Sequence, residues 1–526
     1  MGDSLKEKDN IAEHIEFASP CPTVVIDNDL SLWQALRKYR KVVWYCVGLT
    51  SAILLYGFDY VIVGSVSAMP SFQQDFGTKY SGKWILPSSW LALWNLSSPL
   101  GAMLGAVLGG WFQDRVGRRV SLATGSLLSA LAVAVCYVSY LPDAIDSRRG
   151  LFFAGKLIQG GAIGMVMATT QTYKSEILPS VLRGPIMAFF PVFTLLGQLI
   201  GAIVIYVCLG RFRGYTVCFA SQWPFSVVPM IVAVFIPESP TYLVRKGRLE
   251  EALKSQQRIT EDNVNPQMVV QNIQSDIERE KREARSTYKE CFQAKNLRRT
   301  TIIMFANMLP NLFGLTLLAK ASYFMQVVGM GSSTSVLFLI LGIVLGLLSN
   351  IVSVWVTSRY GRRPLIYSTL SVAAVLWLGM GIAGCWSGVV TIWYTAITMM
   401  LVITICSLGV WPCSYALGSE TSSLHLRAKS QGIGWFISST STAVWGVALP
   451  YIFNPDQGDL KAKTGFIFAA TCAAAAVVSW CCVPEMKGRS AREIDRMFEL
   501  GLGAREFGGY VGEEGEGDER RRRQEA

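Results

Sequence analysis

Histidine is almost missing from this chain: His14 and His425 are the two copies among 526 residues. Both fall outside the apolar runs described below, and no nucleophile–base or metal constellation accompanies them. An enzyme is therefore the least favoured class, and no cofactor or metal is expected. Charge is scarce as well. Asp, Glu, Lys and Arg make up 16% of residues, where a soluble domain carries roughly a quarter. The 12 cysteines are scattered, mostly inside apolar runs, as at Cys46, Cys136, Cys406 and Cys472. No pair has the spacing of a zinc site or a disulfide framework, so they read as small apolar fillers. No cleavable leader is expected either. Met1–Lys41 is polar and holds no short apolar core before a cleavage site, so the first apolar run is expected to direct insertion itself.

Apolar residues are abundant, at 51% of the chain, with mean hydropathy +0.36. They come in blocks of about 20, long enough to cross about 30 Å of hydrocarbon at about 1.5 Å per residue. Backbone polar groups in lipid have to be satisfied within the segment, so the blocks are expected to be helices. Twelve are counted: Val42–Val66, Ile85–Trp111, Val120–Tyr140, Leu151–Tyr173, Pro185–Cys208, Thr216–Ile236, Thr300–Met325, Thr334–Thr357, Leu365–Cys385, Trp393–Leu417, Gln431–Tyr451 and Gly465–Val483. The second contains Pro87 and Pro99, which predicts a long or kinked helix. The tripeptide Asn95-Leu96-Ser97 matches a glycosylation acceptor but lies inside a span and is discounted.

The expected class is an all-α membrane protein of twelve transmembrane helices in two six-helix bundles. The expected divisions are a tail over 1–41, a first bundle over 42–236, a linker over 237–299, a second bundle over 300–483 and a tail over 484–526. Within the linker, Leu249–Ile259 and Val269–Arg285 have helical composition. The Gly-, Glu- and Arg-rich sequence after Phe507 predicts disorder. Alternate connections carry the basic residues: Arg115, Arg118 and Arg119, then Lys174 and Arg183, then the linker, then Arg359, Arg362 and Arg363, then Arg427 and Lys429. The intervening ones carry fewer, and those near Val327–Ser333 and Trp386–Thr391 carry none. The positive-inside rule puts the rich face and both termini in the cytoplasm. The net charge of +11 reflects this topology. The basic residues form no single basic domain, which argues against a nucleic-acid partner.

The chain also repeats itself. Arg115-Val116-Gly117-Arg118-Arg119 recurs as Arg359-Tyr360-Gly361-Arg362-Arg363, 244 residues on. Glu176 precedes Arg183 by seven, and Glu420 precedes Arg427 by seven at the same offset. Pro237-Glu238 recurs as Pro484-Glu485. Each pair follows the second, fourth or sixth span of its half. This is the parallel six-plus-six repeat expected of a transporter whose site lies between its halves. Asp114, Arg115, Arg118, Arg119, Glu176, Arg183, Glu238, Arg359, Arg362, Arg363, Glu420, Arg427 and Glu485 are expected to form a cytoplasmic latch, with Arg183 and Arg427 meeting Glu176 and Glu420 across the bundles. The competing reading is lipid anchoring. Ions inside spans default to function. Asp59 and Lys156 both lie about 8–10 Å below the outer boundary at about 1.5 Å per residue, which lets them pair. Lys320 lies near the outer end of the seventh span. It either snorkels outward or faces the cavity and suits an anionic or strongly hydrogen-bonding solute.

These motifs give a resemblance. Gly57-Phe58-Asp59, Asp114–Arg119, Glu176 with Arg183-Gly184, Pro237-Glu238-Ser239-Pro240, Glu420 with Leu426-Arg427, and Pro484-Glu485 with Lys487-Gly488-Arg489 together resemble the sugar porter family of the major facilitator superfamily. Trp33–Leu36 and Pro70-Ser71-Phe72 are further similar to fungal α-glucoside (maltose-type) permeases. The resemblance implies Asp59 as proton acceptor and Lys156, where the family carries Arg, as its partner. It implies Gln198 and Tyr415 in the substrate site. Other family positions are replaced, by Pro310 and Asn311, by Thr316 and by Thr442. The first expectation is a plasma-membrane proton symporter for a sugar, glycoside or polyol, a monomer whose partners are its solute, protons and the lipid bilayer. A second is a transporter of another small organic molecule, such as a secondary metabolite or organic acid. A third, a non-transporting nutrient sensor, is disfavoured by the short tail over Lys487–Ala526.

Overall fold

The computed structural model describes residues 32–510, apart from 81, 180–181, 183–185, 187–189, 260–264, 284–287, 387, 423–425, 488 and 490. Twelve helices among the described residues are long and apolar enough to cross a membrane. They are α1 (Arg40–Val66), α2 (Ser88–Val116), α3 (Arg118–Val138), α4 (Ile145–Ile177), α5 (Phe190–Cys208), α6 (Gly214–Phe235), α7 (Ala294–Leu318), α8 (Ser332–Thr357), α9 (Arg362–Ala383), α10 (Val389–Thr421), α11 (Lys429–Phe453) and α12 (Lys461–Cys482). Each overlaps one of the twelve expected blocks. The tail over 1–31 and the sequence after Tyr510 lie outside the described residues. Phe507, at the edge of the second tail, is fully buried.

In the first half α4 packs on α2 and α3, and α1 packs on α5 and α6. In the second, α9 packs on α10 and α12, α8 on α10, and α7 on α11. The halves meet along α2–α11 and α5–α8. The linker folds as Pro240–Arg245, Leu249–Ile259, Pro266–Glu283 and Tyr288–Cys291. The first three close a small core of Tyr242, Leu243, Ala252, Val270 and Ile277.

Two expected boundaries change, each for a local reason. The second block is expected from Ile85, but Lys83–Ile85 pairs antiparallel with Thr78–Tyr80. Its helix begins at Ser88, after Pro87 at extended dihedrals, where the missing N–H costs nothing. The seventh apolar block predicts one helix to Met325. It is interrupted: helix runs to Leu312, Gly314 takes φ +99°, Leu315–Leu318 is helical, and Lys320 leaves the helix before Ala321–Val328. A discontinuous span of this kind marks the neighbourhood of a binding site in transporters.

Five polar contacts that join the halves lie at the face away from the arginines. The Ser88 N–H donates to Asp456 Oδ2 at 2.8 Å and Asn95 Nδ2 to the Gly446 carbonyl at 3.0 Å. Asn454 Nδ2 donates to the Leu86 carbonyl at 2.8 Å. Gln326 Nε2 donates to the Ala68 carbonyl at 2.7 Å, and Gln73 Nε2 to Gln326 Oε1 at 3.1 Å. The halves are thus closed on that face. Asn95 is buried within this seam, in keeping with discounting it as a glycan acceptor.

Candidate functional site

Below the closed seam, both halves wall a cavity. The first half supplies Tyr56, Tyr60, Phe190, Thr194 and Gln198; the second supplies Asn311, Trp411, Tyr415, Trp435, Ser438 and Thr442. Tyr56 and Tyr60 are one turn apart on α1, so they present rings to the same side. The rings form a chain around the wall. Tyr56 lies 6.1 Å from both Tyr60 and Phe190, Phe190 lies 6.4 Å from Trp435 across the halves, and Trp435 lies 6.1 Å from Tyr415. The Phe190–Trp435 contact sits on the arginine side of the cavity, where each residue is near the start of its span.

The expected polar residues are partly brought together. Thr316 Oγ1 donates to Asn311 Oδ1 at 2.6 Å, and Asn311 Nδ2 donates to Thr442 Oγ1 at 3.1 Å. These three therefore satisfy one another. Gln198 is buried, borders the cavity and makes no hydrogen bond among the described residues. Its amide, like the Trp411 Nε1–H, borders the cavity without a hydrogen-bond partner among the described residues. Tyr415 lines the cavity, while Lys320 does not; it lies in the seam above. A second, mostly apolar cavity adjoins at Gln198 and Leu315 and runs between α5, α7, α8 and α10.

Asp59 and Lys156 meet. Lys156 Nζ donates to Asp59 Oδ1 and to Gln159 Oε1 at 2.9 Å, and Ser98 Oγ donates to Asp59 Oδ2 at 2.8 Å. Gln159 Nε2 donates in turn to Gln222 Oε1. The chain of contacts draws on α1, α2, α4 and α6, and both ions are buried, Lys156 at 1% exposure. Asp59 precedes Tyr60 on α1, so the pair stands directly behind the cavity wall. Removing either partner would leave the other buried without its counter-ion.

The repeated arginine motif builds the same clasp in each half. Arg118 Nε and Nη2 donate to both oxygens of Glu176 at 3.1 and 2.8 Å, with Asp114 at 3.3 Å. Glu238 accepts from the backbone N–H of Arg118 at 2.8 Å and of Arg119 at 3.2 Å, and Arg119 Nη2 donates to the Val234 carbonyl at 2.8 Å. In the second half Arg362 Nη2 donates to Glu420 at 2.8 Å. Glu485 accepts from the N–H of Arg362 and Arg363 at 3.2 and 3.1 Å, and Arg363 donates to the Trp480 carbonyl at 2.7 Å. Arg115 and Arg359 stack over Trp111 and Trp355 at 4.2 and 5.4 Å. Gly117 (φ +109°) and Gly361 (φ +89°) make this possible, because a Cβ there would stand 2.5 or 2.6 Å from the capping carboxylate. Glu176 and Glu420, expected to reach across the bundles, are thus engaged inside their own. Arg183 and the side chain of Arg427 lie outside the described residues.

The family model described as "Sugar (and other) transporter" matches residues 44–498. The chain belongs to the sugar porter family of the major facilitator superfamily. "MFS transporter fmqE" of Aspergillus fumigatus is 27% identical over 95% of this chain and 97% of its own length. "Alpha-glucosides permease MPH3" of Saccharomyces cerevisiae is 28% identical, covering 91% of this chain and 81% of that protein. Among solved structures, "Inward open conformation of the xylose transporter XylE from E. coli" superposes with TM-score 0.70 at 19% identity, covering 87% of this chain and 99% of the other. This sugar porter therefore shares the major-facilitator fold.

The aromatic wall of Tyr56, Tyr60, Phe190 and Trp435 is not among the residues expected from sequence, nor are Ser98, Gln159 and Gln222 around the ion pair. Polar residues inside apolar spans were the available signal for the last three.

Proposed function

We propose that this sugar porter moves a sugar, glycoside or polyol across the plasma membrane by alternating access, coupled to protons through Asp59. The reading rests on one observation above the rest: a buried carboxylate and ammonium pair directly behind the wall of a cavity shared by both halves. Protonating Asp59 removes the charge that holds Lys156 in place. Loss of that attraction frees α1 and α4 to shift, and α1 carries Tyr56 and Tyr60 into the cavity. Proton binding and solute occupancy then bias the same helices. Lys156 in place of the family's arginine offers one compact charge instead of a planar fork, which suits the single contact to Asp59. The two clasps keep each bundle rigid, so the motion falls at the seam between them. The closed face is then the outer one, and the state is inward-facing.

The solute would be held by Gln198 and by ring faces, which suit the apolar faces of a pyranose. Mutual satisfaction of Asn311, Thr316 and Thr442 supports a second reading, a different small organic molecule, because these groups offer a sugar fewer free hydrogen bonds. Uptake into proteoliposomes with an inward proton gradient tests the proposal. Concentrative uptake of a sugar or glycoside is expected; uptake that ignores the gradient would remove the coupling step.

A further inference from the structure

The interrupted seventh span sets Lys320 where an unbroken helix would not. Lys320 sits at φ −115°, ψ 18° between two helical pieces and packs across the seam on α1. A Cβ built on Gly64 would stand 2.6 Å from Lys320 Cγ and 2.8 Å from its Cα. The lysine stem therefore lies on a residue that has no side chain. One turn back along each helix stand Thr316, which holds Asn311, and Tyr60, which lines the cavity. One to two turns further on, Gln326 bridges to Ala68 and Gln73. Lys320 thus occupies the path between the cavity and the closed face, beneath a layer that seals it.

Its charge is unanswered. Lys320 is half-buried, and its ammonium meets no carboxylate or hydrogen-bond acceptor among the described residues. The buried or half-buried acids of that half of the membrane are engaged elsewhere. Asp59 holds Lys156 and Ser98. Asp75 accepts from Tyr215 and lies 3.9 and 3.5 Å from Arg148 and Arg213. Asp456 holds Ser88 and Asn454. An ammonium in a membrane interior without a counter-ion is costly and is retained where something meets it. Nothing in the described chain does so, and the seam that covers it is the one that opens to admit solute.

We propose that Lys320 receives a carboxylate of the transported solute as it enters from the now-closed face, so that the solute class is a hydroxylated carboxylate such as a uronic or aldonic acid. This rests on the transporter reading above and narrows its solute. It also changes the charge carried. One proton with one monoanion moves no net charge, whereas one proton with a neutral sugar moves one positive charge.

The test uses the full-length protein in proteoliposomes under a fixed proton gradient, with valinomycin and potassium setting the membrane potential. Labelled D-glucuronate and D-glucose, which differ at carbon six, are compared in wild type, Lys320→Gln and Lys320→Arg. Glucuronate uptake indifferent to potential is expected. Lys320→Gln is expected to raise its KM about ten- to a hundredfold, the value of one charged hydrogen bond, and Lys320→Arg to retain it. Thermal unfolding in detergent, unchanged from wild type, reports that the variants fold. Uptake of glucose without glucuronate, or a glucuronate KM unmoved in Lys320→Gln, overturns this inference and leaves the transporter reading standing. Uptake of neither also overturns this inference, while the transporter reading falls only if glycosides and polyols fail as well.

Discussion

Asp59→Asn separates proton coupling from solute passage. Asparagine keeps an oxygen to accept from Lys156 and the shape of the side chain, but it cannot carry a proton. In the native pair Lys156 has Asp59 and Gln159 as acceptors, at 1% exposure. Removing the charge from one member of a buried pair costs about 3–5 kcal/mol when the other stays ionised. The amide oxygen offsets part of this. The double variant Asp59→Asn, Lys156→Met is therefore expected to be more stable than Asp59→Asn alone, read as thermal unfolding in detergent. Coupling gives the sharper number. A gradient of one pH unit is worth about 1.36 kcal/mol per proton, which supports about a tenfold solute gradient at one proton per solute. The assay is accumulation of labelled solute in proteoliposomes at that gradient. Wild type approaches tenfold accumulation; Asp59→Asn levels off at equal concentrations while solute exchange continues. Accumulation by Asp59→Asn equal to wild type would refute the assignment of Asp59.

Further consequences follow from single contacts. Asp456→Asn weakens the closed face, where the carboxylate accepts from the Ser88 N–H and from Asn454. A charged hydrogen bond is worth about 1.5–3 kcal/mol, so thiol labelling of a Ser65→Cys reporter from the closed side should rise at least about tenfold; no rise would mean the seam is held elsewhere. Gly117→Ala places a side chain in a strained backbone region against Glu238 and is expected to destabilise by about 1–3 kcal/mol. Gly110→Ala meets nothing within 4 Å in a helix interior and should be neutral or stabilise by about 0.5–1 kcal/mol. Trp435→Ala removes ring contacts to Phe190 and Tyr415 and is expected to raise the solute KM about three- to tenfold, from about 0.5–1.5 kcal/mol per ring face. An unchanged KM would take Trp435 out of the binding surface.

The membrane fold was legible because its signals are local or repeated. Span length depends on bilayer thickness, and the Arg118 and Arg362 motifs recur at one offset. Pairing of Asp59 with Lys156 was legible from depth alone, since two opposite charges at one level of a bundle have few other partners. The cavity was not legible in the same way. Phe190 and Trp435 meet from opposite halves, 245 residues apart, and aromatic residues are 11% of the chain, so no spacing singles these out. The reach of Glu176 to Arg118 was obscured by Arg183, which lies nearer in sequence. The fourth helix continues to Ile177 and carries the carboxylate toward α3. The break around Gly314 was hidden by an apolar run long enough to span without it.

The central claim is that two rigid halves close alternately around one cavity, and that this structure has the face away from the arginines shut. Spin labels on exposed Gln74 and Gln457, in a background with exposed Cys385, Cys481 and Cys482 replaced by serine, report the separation of the halves at that face. Double electron–electron resonance should give two distances, the shorter matching the closed seam, with populations that shift with pH and solute. A single distance, the same at every pH and solute concentration tried, would contradict the account.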